Sequence, residues 1–299
     1  MDQPTEPAAV DITNALGGAD RLLVFGGPYS NLEALDALIA QANVHDIEPS
    51  AVICTGDLAA YCANPAEVIA RVRDWGCHVV AGNCEVQLAQ GADDCGCGFG
   101  DGSACDLLSR QWYTFASGRV DEPARMWLGS LPRAATFTFA GERFRVIHGG
   151  HRQMNRFIFA SDTDAIDEEL SEIPEDHVIA GHSGRPFITL RDRARLWFNA
   201  GVIGMPANDG SPQTWYGMLS RSAGGLVAST HPLTYDATTA SAKRAATGTS
   251  LPYAEALVTG RWPSEDILPL PERECAGQPL SPATVVLPRV AQAGHAAAE

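Results

Sequence analysis

"RLLVFGGPYSNLEALDALIAQA", Arg21 to Ala42, is the stretch on which the reading of this chain turns. It opens with a short apolar run, breaks at Gly26-Gly27-Pro28, and continues with apolar residues at helical spacing. That order predicts a strand, a tight glycine turn and a helix near 31–43. In α/β proteins, strand-to-helix junctions of this kind line the binding crevice. Here, however, Gly26, Gly27, Pro28 and Ser30 offer almost nothing that ligates a metal or moves a proton. Chemistry at this junction has to come from other segments.

The same rhythm recurs downstream. "AVICTG" (51–56) is followed by a helical pattern near 65–75, and "CHVVAGN" (77–83) reads as a third strand. A polar, glycine-rich loop, "GADDCGCGFGDGSAC" (91–105), interrupts before helical segments near 105–116 and 121–131. From residue 134 the texture becomes a series of short β-type runs: "ATFTFA", "RFRVIHGG", "HVIAGH", "PFITL", "ARLWFNAG", "TWYGML" and "GGLVAS". One helix, "DTDAIDEELSEI", lies among them. The pattern predicts a layered α/β fold. Residues 1–19 read as a disordered lead-in and 20–230 as the folded domain. Residues 231–299 read as a helical or irregular extension with a partly disordered tail.

Composition narrows the function. A net charge of -15 repels a phosphate backbone, so a broad nucleic-acid surface is not expected. No apolar run approaches membrane-spanning length, and the N-terminus has no secretory pattern, so a cytoplasmic location is expected. The eight cysteines are then not read as a disulfide framework. Cys54, Cys62 and Cys77 suit a core, whereas Cys84, Cys95, Cys97 and Cys105 fall in polar surroundings where burial alone does not explain them.

The polar residues that end apolar runs are the candidates for chemistry. Asp57 ends "AVICTGD", Asn83 ends "CHVVAGN", His148 ends "RFRVIH" and His182 ends "HVIAGH". Singly, each has an ordinary reading: a turn aspartate, a helix-capping asparagine, a structural histidine. Together they would form a mixed N/O site suited to Zn, Mn or Fe.

In order and spacing, "GD" (56–57), "GN" (82–83), His148, "GH" (181–182) and "NAGVIGMP" (199–206) resemble the calcineurin-like metallophosphoesterases. "GGPYSNLEAL" is similar to that family's first motif, Asp-x-His-Gly-Asn-Leu-x-Ala-Leu. The likeness spans roughly residues 20 to 230. It implies two β-sheets flanked by helices, with two metals held between them. One metal would be held by Asp57, Asn83, His148 and His182. The other needs residues at positions that here are Gly27, Tyr29 and Gly184, so of its ligands only the shared Asp57 remains. The family's Gly-Asn-His-Asp/Glu reads "GNCE", which puts Cys84 where the catalytic histidine would stand.

The departures therefore remove one metal's ligands and spare the other's. Three readings of the cysteine loop follow. Cys95, Cys97 and Cys105, with Cys84 upstream and Tyr29 nearby, enter the vacated half-site; or they build a separate structural zinc site; or they are free or redox-active thiols. Arg152, Arg156 and Arg185 are candidates for binding an anionic substrate, joined by Asn199 of the last motif. Glu85 and His151 are candidates for proton transfer, and Cys84 and Tyr29 for other catalytic roles.

The expected function is metal-dependent hydrolysis of a small phosphoester, phosphodiester or pyrophosphate, using one or two Fe, Zn or Mn ions. The expected partner is a small phosphorylated molecule, and a homodimer is admitted. Two rivals stand beside this. One is a non-hydrolytic metal- or nucleotide-binding or regulatory protein; the other is an iron–thiolate enzyme on the same fold.

Overall fold

The computed structural model describes residues 9–249 and 251–288. The chain begins with β1 (Val10–Asp11) and β2 (Arg21–Phe25), then α1 (Leu32–Val44) and β3 (Val52–Cys54). Next come α2 (Pro65–Trp75), β4 (His78–Val79), α3 (Asn83–Gln90), α4 (Ala104–Ser117) and α5 (Glu122–Ser130). A β-rich half follows: β5 (Ala134–Phe139), β6 (Glu142–Ile147), α6 (Thr163–Glu172), β7 (His177–Ala180), β8 (Phe187–Arg191) and β9 (Arg195–Asn199). The long hairpin β10 (Thr214–Ser222) and β11 (Gly225–Leu233) leads into α7 (Ala237–Ala246), α8 (Leu251–Thr259), α9 (Leu270–Glu274) and β12 (Thr284–Pro288).

The strands form two six-stranded sheets, ordered β1-β5-β6-β7-β9-β8 and β12-β11-β10-β2-β3-β4. Alternation along β9 shows how they pack. Leu196 and Phe198 join the core cluster that holds Leu22, Val24, Ile53 and Leu219 of the other sheet, while Trp197 turns to the cluster with Ile166 and Leu170 of α6. One face of this sheet thus meets its partner and the other is covered by α6. A parallel bridge between Gly26 and Val202 joins the two sheets where β2 and β9 end. The expected architecture, two sheets flanked by helices, is the one found.

The opening stretch folds as its pattern dictates. β2 buries four of its five residues, and Asn31 starts α1 by accepting the Ala34 N–H at 3.1 Å. The two ends of the chain differ from expectation. Val10 and Asp11 pair in parallel with β5, and Ile12 and Leu16 are buried, so apolar anchoring orders residues 9–19. Residues 1–8 and 289–299, parts of the expected lead-in and tail, lie outside the described residues. The Pro-rich extension forms α9 and then β12, which pairs antiparallel with β11 from Thr284 to Pro288. Among the described residues no helix is long and apolar enough to cross a membrane.

Candidate active site and metal centre

Four chain segments end at one point. His148 follows β6 directly, His182 lies two residues beyond β7, Asp57 three beyond β3, and Asn83 opens α3. His148 Nε2 stands 3.0 Å from His182 Nδ1, 3.1 Å from Asn83 Oδ1 and 3.2 Å from Asp57 Oδ2. His182 Nδ1 is 3.9 Å from the same Asp57 oxygen. All four residues are buried.

These spacings fit a cation. Bonds of about 2.0–2.2 Å to N and O donors put tetrahedral donors roughly 3.3–3.6 Å apart. The proton inventory points the same way. His148 Nδ1 lies 2.6 Å from the Thr55 carbonyl, which takes the ring's N–H in the neutral form. The Asn83 NH2 group donates to the Cys95 carbonyl at 2.8 Å, which leaves its Oδ1 turned to the histidine. His148 Nε2, Asn83 Oδ1 and Asp57 Oδ2 thus direct lone pairs at one another, and a positive charge resolves that arrangement. Among the described residues, Asp57, His148 and His182 are the group of His, Cys, Asp and Glu side chains with ligand atoms all within 4.8 Å of one another.

Electrostatics follow from the same contacts. Burial alone would raise the Asp57 pKa, but His148 and His182 outweigh it and hold the carboxyl well below the usual carboxylate range. For His148, burial is overcome by Asp57 and the Thr55 carbonyl, and its pKa rises. For His182, burial wins and the pKa falls. Asp57 (φ 60°) and His182 (φ 62°) both adopt the left-handed backbone region, which costs of order 1–2 kcal/mol each for ordinary L-residues. Gly82 completes the close approach: a Cβ there would stand 2.5 Å from Asp57 Oδ1 and 2.7 Å from His148 Cε1.

Glu85, expected as a proton shuttle, is a fully buried clamp. Its carboxylate accepts the N–H groups of Asp57 (2.7 Å), Leu58 (2.8 Å) and Gly82 (2.8 Å). Burial and the Asp57 charge push its pKa up to about 7 against those three donors. It fixes the strained turn at Asp57 to the start of α3.

The vacated positions are filled by aromatic packing. Tyr29 folds its ring back over Gly27 and meets Tyr61 edge-on, with centroids 4.7 Å apart. Tyr61 in turn contacts Trp112 and Tyr253. Burial pushes the Tyr29 phenol well up, helped by nearby Asp57, Cys84 and Cys97. Tyr29, Phe157, His182, Gly184, Tyr253 and Trp262 are among the walls of a mainly apolar cavity of about 70 Å³.

The cysteine loop reaches the centre in part. Asn83 Nδ2 lies 3.3 Å from Cys97 Sγ and 3.6 Å from Cys84 Sγ, and Cys95 is their neighbour. Cys105, at the first turn of α4, is half-buried, faces Ser264 and lines the apolar cavity. The structure does not bring it to the other three thiols, because α4 carries it away from the loop.

The anion-binding candidates are held elsewhere. Arg152 pairs with Glu172 at 2.7 Å, and Arg156 with Glu168 at 2.6 Å and Glu169 at 2.8 Å, all three glutamates on α6. Arg185 donates to the Glu272 carbonyl at 3.3 Å. His151 is buried, and its backbone N–H binds Glu169 at 2.6 Å. Asn199 supports the His182 turn by donating to the Gly181 carbonyl (3.0 Å) and Ser183 Oγ (2.8 Å).

Three contributors escaped the sequence reading. Phe157 lies against the His182 ring with centroids 4.2 Å apart, although "NRFIFAS" reads as plain core. Asn155 holds the cysteine loop through the Gly96 carbonyl at 2.9 Å, and Trp262 reaches the cavity from the extension. Only the position of Phe157 and Asn155 shortly after "HGGH" could have singled them out.

Comparison with known proteins bears on this geometry. No curated protein matches the chain in sequence. A metallophosphoesterase from Sphaerobacter thermophilus has a similar fold, with a TM-score of 0.64 at 20% identity over 81% of this chain and 99% of its own. A hypothetical protein from Pyrococcus horikoshii OT3 aligns with a TM-score of 0.69 at 14% identity over 81% and 99% of the respective chains. The family model "Calcineurin-like phosphoesterase superfamily domain" matches residues 30–220, well over half of the sequence. With both sheets, the Gly-Asp and Gly-Asn turns and the two histidines in place, the chain belongs to the calcineurin-like phosphoesterase superfamily.

Proposed function

We propose that the protein is a metal-dependent hydrolase of a small phosphoester or phosphodiester, acting at Asp57, Asn83, His148 and His182. The observation that carries this is the convergence of their donor atoms, with Nε2 of His148 at 3.0–3.2 Å from the other three residues. A divalent cation bound there would supply positive charge to a phosphoryl oxygen and lower the pKa of a nearby water.

The chain's own residues do the rest. Thr55 fixes the His148 tautomer, Glu85 and Gly82 hold Asp57 in register, and Phe157 shields His182 from solvent. The adjoining apolar cavity suits an uncharged substituent on the substrate. Among the described residues no arginine lines that cavity, and Arg152 and Arg156 are already paired with α6. This favours a singly charged phosphodiester over the pyrophosphate also considered from sequence.

The test is release of the phenol from an aryl methyl phosphodiester, whose methyl group suits the cavity, by protein reloaded with Mn, Zn or Fe. Asp57→Asn should lower turnover at least about a hundredfold, the scale of losing a charge-stabilising group in a site of this kind. Unchanged turnover in that variant would overturn the assignment. The loss of ligand-type side chains at Gly27, Tyr29 and Gly184 favours a second reading, non-hydrolytic binding of a phosphate ligand. Saturable binding of an aryl phosphate with no turnover under any of these metals would select it.

A further inference from the structure

Beside the histidine centre, three cysteines that no role in it accounts for lie close together: Cys84, Cys95 and Cys97. The three come from two segments, the first turn of α3 and the loop after it, and are 1%, 4% and 4% exposed. The Cys97 thiol is turned to the Cys95 carbonyl at 4.0 Å and shares the Asn83 amide with the Cys84 thiol. The Asn83 amide covers two of the sulfurs, and the Cys97 N–H points to Cys95 Sγ at 3.3 Å. None of the three is in a disulfide. Thiols are weak hydrogen-bond partners, so three of them gathered around a polar amide are poorly explained by packing alone.

The surroundings favour a cation. Asp57 divides its carboxylate: Oδ2 faces His148, while Oδ1 accepts the Cys84 N–H at 3.3 Å. The sulfurs form an open row, since they do not all lie within 4.8 Å of one another. Zinc–sulfur bonds of about 2.3 Å need sulfurs roughly 3.8 Å apart. Gly96 and Gly98, both with positive φ, flank Cys97 and give the loop the freedom to close that row.

We propose that Cys84, Cys95 and Cys97 together bind a second, thiophilic cation, Zn²⁺ or Fe²⁺, beside the histidine centre. Binding exchanges three S–H protons, released to solvent, for three metal–sulfur bonds, with no change of oxidation state. The site does not rest on the hydrolytic reading, and it excludes Cys105.

The experiment is zinc-edge X-ray absorption on the full-length, zinc-loaded protein, with metal stoichiometry measured on the same sample. A sulfur shell near ~2.3 Å is expected. It should vanish in a Cys84→Ser/Cys97→Ser variant, which should lose one equivalent of metal and keep the other. In His148→Ala the sulfur shell should persist. A shell of only N and O donors in the wild-type protein overturns the proposal, and needs no variant to fold. So does a sulfur shell that survives the double substitution. An inactive protein with the sulfur shell present would refute the hydrolase and leave this site standing.

Discussion

Gly27 and Tyr29 occupy one another's space: a Cβ on residue 27 would stand 2.4 Å from the Tyr29 ring. The two replacements in the first motif are therefore one structural change. An aromatic ring fills the volume, and the missing side chain lets it in. Gly27→Asp should accordingly destabilise the fold by about 1–3 kcal/mol, the usual scale of overpacking. Adding Tyr29→His should recover part of the loss. Urea denaturation of the two variants checks this; a Gly27→Asp protein as stable as wild type would show that the ring is not held there.

Glu85→Gln separates a clamp from a proton shuttle. The carboxylate accepts three backbone N–H groups, and an amide NH2 would confront at least one of them with a second donor. A loss of about 1–3 kcal/mol is expected, with weaker metal binding as Asp57 loses its register. Chemical denaturation and metal titration give both numbers. A fall in turnover at unchanged stability would mean that Glu85 moves a proton instead.

His177 should make stability depend on pH far from the active site. The Leu196 N–H donates to His177 Nδ1 at 3.2 Å, and burial pushes the pKa down to about 4. The unfolded chain takes up this proton near pH 6.5, before the folded one does. Its contribution is thus complete at neutral pH and is lost as pH falls from about 6.5 towards 4, on the order of 3 kcal/mol in all. Denaturation curves at several pH values should show a slope that His177→Gln flattens.

Trp262→Ala tests the apolar cavity. Trp262 lines the cavity with His182, lies over Gly184 and is anchored by its indole N–H to the Pro206 carbonyl at 2.6 Å. With about 70 Å³ available, a compact alkyl substituent fits better than an aromatic ring, since a cavity of about 150 Å³ is what holds benzene. Removing the indole should shift the ratio of kcat/KM for phenyl over methyl phosphodiesters upward by about tenfold or more. An unchanged ratio would mean that the substituent sits elsewhere.

Much of this was legible because the signals were periodic or local. The β2–α1 junction announced itself by an apolar run, a glycine break and an i, i+3, i+4 pattern, and it folds that way. Asp57, Asn83, His148 and His182 stood out because each ends an apolar run, and strand ends converge in such folds. Charged side chains were harder. Arg152 and Arg156 follow "HGGH" as substrate ligands would, but α6 presents Glu168, Glu169 and Glu172 to them, and no sequence spacing reports that encounter. Cys105 shares a loop with Cys95 and Cys97 in sequence, yet the turn into α4 separates it in space. Edge pairing by β12 was hidden in a Pro-rich segment whose strand, "TVVLP", is only five residues long.

The C-terminal extension has a consequence for how this protein can change. The donors of the histidine centre come from the loops after β3, β6 and β7 and from the start of α3, whereas Tyr253 and Trp262, walls of the neighbouring cavity, come from α8 and the segment after it. β12 fastens that segment's far end to the hairpin. Under the proposed function, one wall of the substrate cavity is thereby written in a stretch of the gene apart from the metal ligands, and residues 251–267 can be altered while those ligands stay as they are.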